Sequence, residues 1–356
     1  MGDAVSTLLF QPPPPSKLKE HKIVWLKTRR GTKIPGFYIS YRRQGGVENC
    51  RSLAASEIRD SGPQQGITLL YSHANAEDLG SIYPWCKFLS KMLQVNLFAY
   101  DYSGYGMAFD SGKWTLLLTT PIPHLQLFIQ FSNSCGYCLI FDIAGPPSEE
   151  HCYADIEAAY DFLRNTLEIP AKNIVLYGRS LGSGPSCYLA VKSGQTPKDP
   201  DSEKAEPVGG LILHAPFMSV FRVVLETGCT LPGDKFPNID LLPMVASPTI
   251  LIHGTNDQIV PFHHSERLYE ALSDKFRAKP IYIEGMSHNN VHSQVRPLFC
   301  DRLTEYLEQH VWPGIDGSHK KPSVPKFSRR IAKSVNHELE YADEERASKS
   351  RQVIGL

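Results

Sequence analysis

The chain has 356 residues, 42% of them hydrophobic and 21% charged, with 37 Lys+Arg against 37 Asp+Glu. These proportions fit one large globular domain or two ordinary ones, and they exclude a wholly disordered, collagen-like or coiled-coil chain. A formal net charge of zero argues against nucleic-acid binding through bulk basic charge.

The chain starts Met1-Gly2-Asp3-Ala4-Val5-Ser6, the M-G-x-x-x-[ST] pattern of N-myristoylation with Gly2 as acceptor. Asp3 is an atypical neighbour for that acceptor. A single myristoyl chain binds membranes only marginally, so stable attachment needs a second signal. The four prolines at 12–15 form a stiff spacer, and residues 1–20 read as an N-terminal segment. No basic stretch followed by an apolar run marks a secretory signal.

Residues 21–312 read as one domain. Runs at 23–27 and 36–42 predict an antiparallel pair. Short apolar runs at 67–72, 95–101, 174–178, 209–214, 249–253 and 280–284 have the length and continuity of strands buried on both faces. Helical patterns separate them at 82–93, 152–166, 181–192, 265–273 and 294–309. Such alternation predicts an α/β fold with a mostly parallel central sheet flanked by helices. The most apolar stretch, 116–131, is broken by Pro121, Pro123 and His124, and a span needs ~20 mostly apolar residues.

The eight cysteines are scattered and lie mostly in apolar segments, the pattern of reduced core thiols in the cytoplasm rather than a disulfide framework. Cys135 and Cys138 form a lone C-x-x-C without the second pair that a zinc site needs. Residues 313–356 read as a solvated, disordered tail. Lys320, Lys321, Lys326, Arg329, Arg330 and Lys333 form an acid-free basic cluster there, which would serve as a second attraction to an anionic membrane surface.

The chemistry collects at strand ends. The run at 174–178 leads into Gly178-Arg179-Ser180-Leu181-Gly182, the G-x-S-x-G nucleophile elbow. Its turn lifts the Ser180 hydroxyl above the sheet and opens a helix with the Leu181 N–H, where an oxyanion can form. A serine nucleophile needs a base, and the base an orienting acid, in the chain order Ser, Asp, His. Asp257 follows the strand at 249–253 and His288 follows the strand at 280–284. Both therefore fall at the carboxyl ends of strands, where open α/β sheets place their sites. His292, His253, His214 and Asp240 are weaker competitors; His253 and His214 end strands and serve local hydrogen bonds. The second oxyanion donor belongs to the loop 72–80, with the Asn75 N–H first and Ala74 as alternate.

Ser72-His-Ala-Asn-Ala-Glu-Asp-Leu-Gly80, Tyr100-Asp-Tyr-Ser-Gly-Tyr-Gly106 and Tyr153-Ala-Asp-Ile156 resemble the α/β-hydrolase-domain-containing 17 group. So do Leu213-His-Ala-Pro-Phe-Met-Ser219 and Phe236-Pro-Asn-Ile-Asp240. The resemblance covers residues 65–310 apart from one interruption. It implies an α/β-hydrolase fold and a membrane-associated serine hydrolase, in a family whose animal members remove palmitate from protein cysteines. It also implies Ser180 as nucleophile, His288 as base and Asp257 as acid. Three departures stand out. Ala74 replaces the glycine of the family's His-Gly-Asn. The first cysteine is Cys50, so the family's N-terminal cysteine cluster is missing and Gly2 would have to take its place. An extra apolar, proline-interrupted segment occupies about 107–145. It reads either as a lid or membrane-contacting flap or as an intron translated in frame.

The expected activity is acyl transfer to water from an ester or thioester, most specifically protein S-depalmitoylation on the cytosolic face of membranes. No metal or organic cofactor is required. The expected partners are an S-acylated protein or a lipid or ester substrate, with peripheral membrane contact and no nucleic acid. Alternatives are a lipid or small-ester esterase, a serine-peptidase-like hydrolase, or a non-catalytic membrane adaptor that keeps the fold.

Overall fold

The computed structural model describes residues 9–16, 18, 22–44, 47–53, 57, 66–108, 147–195, 205–225, 228–289 and 296–315. Gly2, Cys135, Cys138, His292, the extra segment from 109 onward and the basic cluster of the tail lie outside the described residues.

The chain enters its sheet through β1 (Val24–Lys27), β2 (Lys33–Gln44) and β3 (Val47–Leu53). The first pair is the expected one, with Val24 opposite Gly36. β3 adds a further antiparallel partner along the distal half of β2. The remaining strands are β4 (Thr68–Ser72), β5 (Asn96–Tyr100), β6 (Ile174–Arg179), β7 (Gly210–His214), β8 (Thr249–Gly254) and β9 (Ile281–Ile283). Among the described residues they form one sheet in the order β1-β2-β5-β4-β6-β7-β8-β9, with β3 beside β2. Every pairing from β5 through β9 is parallel.

The helices are α1 (Leu79–Leu93), α2 (Glu149–Asp161), α3 (Ser183–Gly194), α4 (Val220–Leu225), α5 (Asn238–Leu241), α6 (His263–Ala271) and α7 (Arg296–Tyr306). Alternation along the strands divides the core into two layers. Leu70, Leu176, Leu213 and Leu251 face one layer, where α2 adds Ile156 and α3 adds Ala190. Leu69, Tyr71, Tyr177 and Ile252 face the other, where α1 adds Leu89 and α7 adds Phe299 and Leu303. Burying each such leucine or phenylalanine contributes about 1.5–3 kcal/mol. No helix among the described residues is long and apolar enough to cross a membrane.

α1 begins three residues before the predicted start, because Asp78 caps it. The Asp78 carboxylate accepts the Ser81 N–H at 2.9 Å, and the Asp78 N–H donates to Ser81 Oγ at 3.0 Å. That reciprocal box satisfies two otherwise orphaned donors.

The topology decides where a ligand can sit. From β4 the chain crosses through α1 to β5 on one side; it later returns through α2 to β6 on β4's other side. The loops after β4 and β6 therefore diverge, opening a crevice at their carboxyl ends.

Candidate active site

Ser180 lies on the turn between β6 and α3 with φ of +49°, a left-handed conformation that costs a non-glycine residue on the order of 1 kcal/mol or more. Close packing holds it there. A Cβ on Gly178 would lie 2.5 Å from the Gly182 carbonyl oxygen, and one on Gly182 would lie 2.1 Å from the Ser72 carbonyl oxygen. The two motif glycines are thus the points where the elbow presses on itself and on β4. Ser183 Oγ donates to the Ser180 carbonyl at 2.6 Å and locks the first turn.

The other two predicted groups meet this serine. His288 Nε2 lies 3.0 Å from Ser180 Oγ, and His288 Nδ1 lies 2.6 Å from Asp257 Oδ2. In the matching tautomer Nδ1–H donates to the carboxylate, leaving Nε2 to accept the serine proton. Asp257 Oδ1 accepts the N–H groups of Ile259 and Val260, each at 2.9 Å. Burial works against the carboxylate's charge. Hydrogen bonds from His253, His288 and the Val260 amide outweigh it and hold the Asp257 pKa below the usual carboxylate range.

His253 has more than the local role expected of it. Ser265 Oγ donates to its Nδ1 at 2.5 Å, and its Nε2 lies 2.9 Å from the Val260 carbonyl. The same Nε2 is 3.2 Å from Asp257 Oδ2, so the acid is held between two imidazoles. His214 is buried and bonded to the Tyr177 hydroxyl at 2.9 Å. Asp240 accepts from the Thr230 hydroxyl. Neither joins the Ser180–His288–Asp257 series.

The loop after β4 separates the two oxyanion candidates. The Ala74 N–H is committed to Glu77 Oε2 at 2.9 Å, which favours Asn75 over its alternate. Beneath the loop, His73 is fully buried and its Nδ1–H donates to the Ala74 carbonyl at 2.8 Å. Burial, only partly opposed by that bond, lowers its pKa and keeps the ring neutral. The Tyr102 hydroxyl donates to the His73 carbonyl at 2.7 Å.

Sequence reasoning missed Arg179 and Glu77. Their side chains form a nearly buried ion pair, and Arg179 Nη2 also donates to the His288 carbonyl at 3.2 Å. The available signal was an arginine between a buried strand and a buried serine, a place where a charge needs a partner.

Comparison with known proteins places the chain. No family model matches it. Alpha/beta hydrolase domain-containing protein aho-3 of Caenorhabditis elegans is 30% identical over 310 residues, covering 85% of this chain and 77% of that one. Alpha/beta hydrolase domain-containing protein 17B of Homo sapiens is 32% identical over 321 residues, covering 87% and 92%. The 17C protein of Xenopus laevis is 31% identical over 250 residues, covering 70% of this chain and 64% of its own length. Among solved structures, the Pyrococcus furiosus esterase Pf2001 superposes with a TM-score of 0.53 at 14% identity, covering 85% of this chain and 98% of that one. That likeness shows a shared fold, and the sequence relatives go further: the chain belongs to the alpha/beta hydrolase domain-containing protein 17 family.

Proposed function

We propose that this protein is a serine hydrolase that cleaves acyl esters and thioesters, with S-acylated protein cysteines at a membrane surface as its substrate class. The observation that carries the reading is the hydrogen-bond series Asp257–His288–Ser180, with links of 2.6 and 3.0 Å. In the proposed reaction His288 Nε2 takes the Ser180 proton as Oγ attacks the acyl carbonyl. The Asp257 carboxylate steadies the imidazolium formed. The Leu181 and Asn75 N–H groups receive the oxyanion. The adduct then collapses, the C–S or C–O bond breaks, and the thiol or alcohol leaves with the proton held on His288. The neutral imidazole next takes a proton from a water that attacks the acyl-enzyme, releasing the acid and restoring Ser180.

A thiol leaves as thiolate with a pKa of about 8.5, so a thioester asks less of the acid step than an amide does. The family's palmitate-removing members support the thioester half of the reading. Gly2 and the basic cluster at 320–333 support membrane contact through two weak signals.

The test is labelling of the purified full chain by a fluorophosphonate probe, beside Ser180→Ala and His288→Ala. Labelling in the wild type and in neither variant is the expected result. A folded wild type that resists the probe would point to the adaptor reading instead. Turnover of a palmitoyl thioester against a short oxygen ester then distinguishes a depalmitoylase from a small-ester esterase.

A further inference from the structure

The segment before the hydrolase body is gripped by the active-site loop. Phe10 is 5% exposed and joins the α2–α3 core layer. Its ring stands edge-on to Phe236, with centroids 6.3 Å apart. On either side of Phe10 the main chain holds one side chain of the loop after β4. Asn75 Nδ2 donates to the Leu9 carbonyl at 2.6 Å, and the Gln11 N–H donates to Asn75 Oδ1 at 3.0 Å. The carboxamide thus pairs with the strap as a peptide unit would in a ladder. The Tyr105 hydroxyl donates to the same Oδ1 at 2.7 Å.

The far end of the strap is tied to the far end of that loop. The Ser16 N–H donates to Asp78 Oδ2, the cap of α1. There the strap passes so close that a Cβ on Gly80 would lie 2.6 Å from Ser16 Cβ. Residues 9–16 therefore bridge the two ends of the 75–78 turn, one of which carries the proposed oxyanion donor.

We propose that residues 9–11 are a positioning element of the active site, holding the Asn75 carboxamide so that the Asn75 main-chain N–H stays aimed at the oxyanion. The inference rests on the reading of Asn75 as an oxyanion donor. A donor must be in place before charge develops, because reorganisation during the reaction raises the barrier. Small misplacements at such a site are costly in rate.

The test exploits a main-chain donor that one substitution removes. Gln11→Pro deletes the N–H, while Gln11→Ala keeps it; the Gln11 residue is exposed and already precedes a proline. With a short p-nitrophenyl ester, kcat of Gln11→Pro is expected to fall about ten-fold below that of Gln11→Ala at equal KM, the mark of an interaction made in the transition state. In an Asn75→Ala background, which removes the gripped side chain and keeps its N–H, the two Gln11 variants are expected to turn over alike. Equal kcat for the two single variants, or a ten-fold gap that persists in that background, overturns the proposal. Should Gln11→Pro lack a cooperative unfolding transition, Asn75→Ala alone decides. A ten-fold fall in its kcat at unchanged KM supports the strap, and wild-type kcat overturns it. Fluorophosphonate labelling of Ser180 in the wild type, run alongside, separates the two levels. Its absence overturns the hydrolase reading and the strap's role together; its presence with equal Gln11 variants overturns the strap's role alone.

Discussion

The Arg179 guanidinium, one residue before Ser180, pairs with the Glu77 carboxylate 102 positions away in sequence. Their side chains are 11% and 13% exposed. Glu77 also receives the Ala74 N–H, and Arg179 also reaches the His288 carbonyl and Asn289 Oδ1. One ion pair therefore ties the end of β6 to the loops after β4 and β9. Glu77→Gln leaves a nearly buried guanidinium uncompensated and is expected to cost about 3–5 kcal/mol. The double variant with Arg179→Gln is expected to lose less than the sum of the singles. Urea unfolding of the four proteins measures this, and strict additivity would rule the coupling out.

The elbow glycines make a sharper prediction. A methyl at Gly182 meets the Ser72 carbonyl oxygen at 2.1 Å, and one at Gly178 meets the Gly182 carbonyl oxygen at 2.5 Å. Both obstacles are backbone, with no flexible end to yield. Each Gly→Ala change is expected to cost roughly 3 kcal/mol or more, the upper range for overpacking and strain. Ser180→Ala, which removes only a hydroxyl, is expected to unfold within a few degrees of the wild type. Calorimetry on the three variants reads the contrast, and a Gly182→Ala protein as stable as Ser180→Ala would contradict it.

Asp155 sets a pH dependence of stability. Burial pushes its carboxyl up to about 7, against hydrogen bonds from the Ser103 N–H and hydroxyl and the charge of Arg30. The unfolded chain releases this proton near pH 4, whereas the folded chain keeps it to about pH 7. Between those values the folded state binds more protons, so this group's contribution to stability falls as pH rises and levels off above the folded pKa. Across the window the linkage amounts to roughly 4 kcal/mol. Wild-type stability relative to Asp155→Asn is therefore expected to decline from pH 5 to pH 8 in urea titrations. A difference that does not change with pH would remove Asp155 as the cause.

Ala74 stands where the family pattern has glycine, and its backbone does not need one. Ala76 and Ser180, not Ala74, are among the residues with left-handed backbones. Ala74→Gly is expected to cost about 0.4–1 kcal/mol by freeing the unfolded chain and to leave kcat no higher. Faster ester turnover in the variant would show instead that the methyl obstructs the substrate.

Much of this was legible along the chain because periodicity and turn chemistry are local. The parallel strands, the elbow and the Ser–Asp–His order all follow from runs and short motifs read in place. β3 was not, because VENCRSL carries no apolar run. It is a strand because β2 is long enough to offer Tyr38–Gln44 as a partner. The early start of α1 comes from Asp78 and Ser81, a capping pair with Ser in place of the usual Glu or Gln, which the apolar period does not register. Arg179–Glu77 and Asn75–Gln11 are contacts between residues 102 and 64 positions apart. Only the folded chain brings such residues together, and no spacing rule announces them.

The proposed base follows the shortest strand among the described residues. β9 is three residues long and, among the described residues, sits at the edge of the sheet and pairs with β8 alone; His288 follows it by five positions. Edge elements with few hydrogen bonds open at lower free energy than the centre of a sheet. Fraying there carries the imidazole away from Ser180 while the β4–β6 centre stays intact. Hydrolysis should then vanish at a lower urea concentration than the tyrosine signal of the core, and amides of Ile281–Ile283 should exchange faster than those of Val175–Tyr177. Inactivation of this protein would be an early event, reversible on dilution, and distinct from its denaturation.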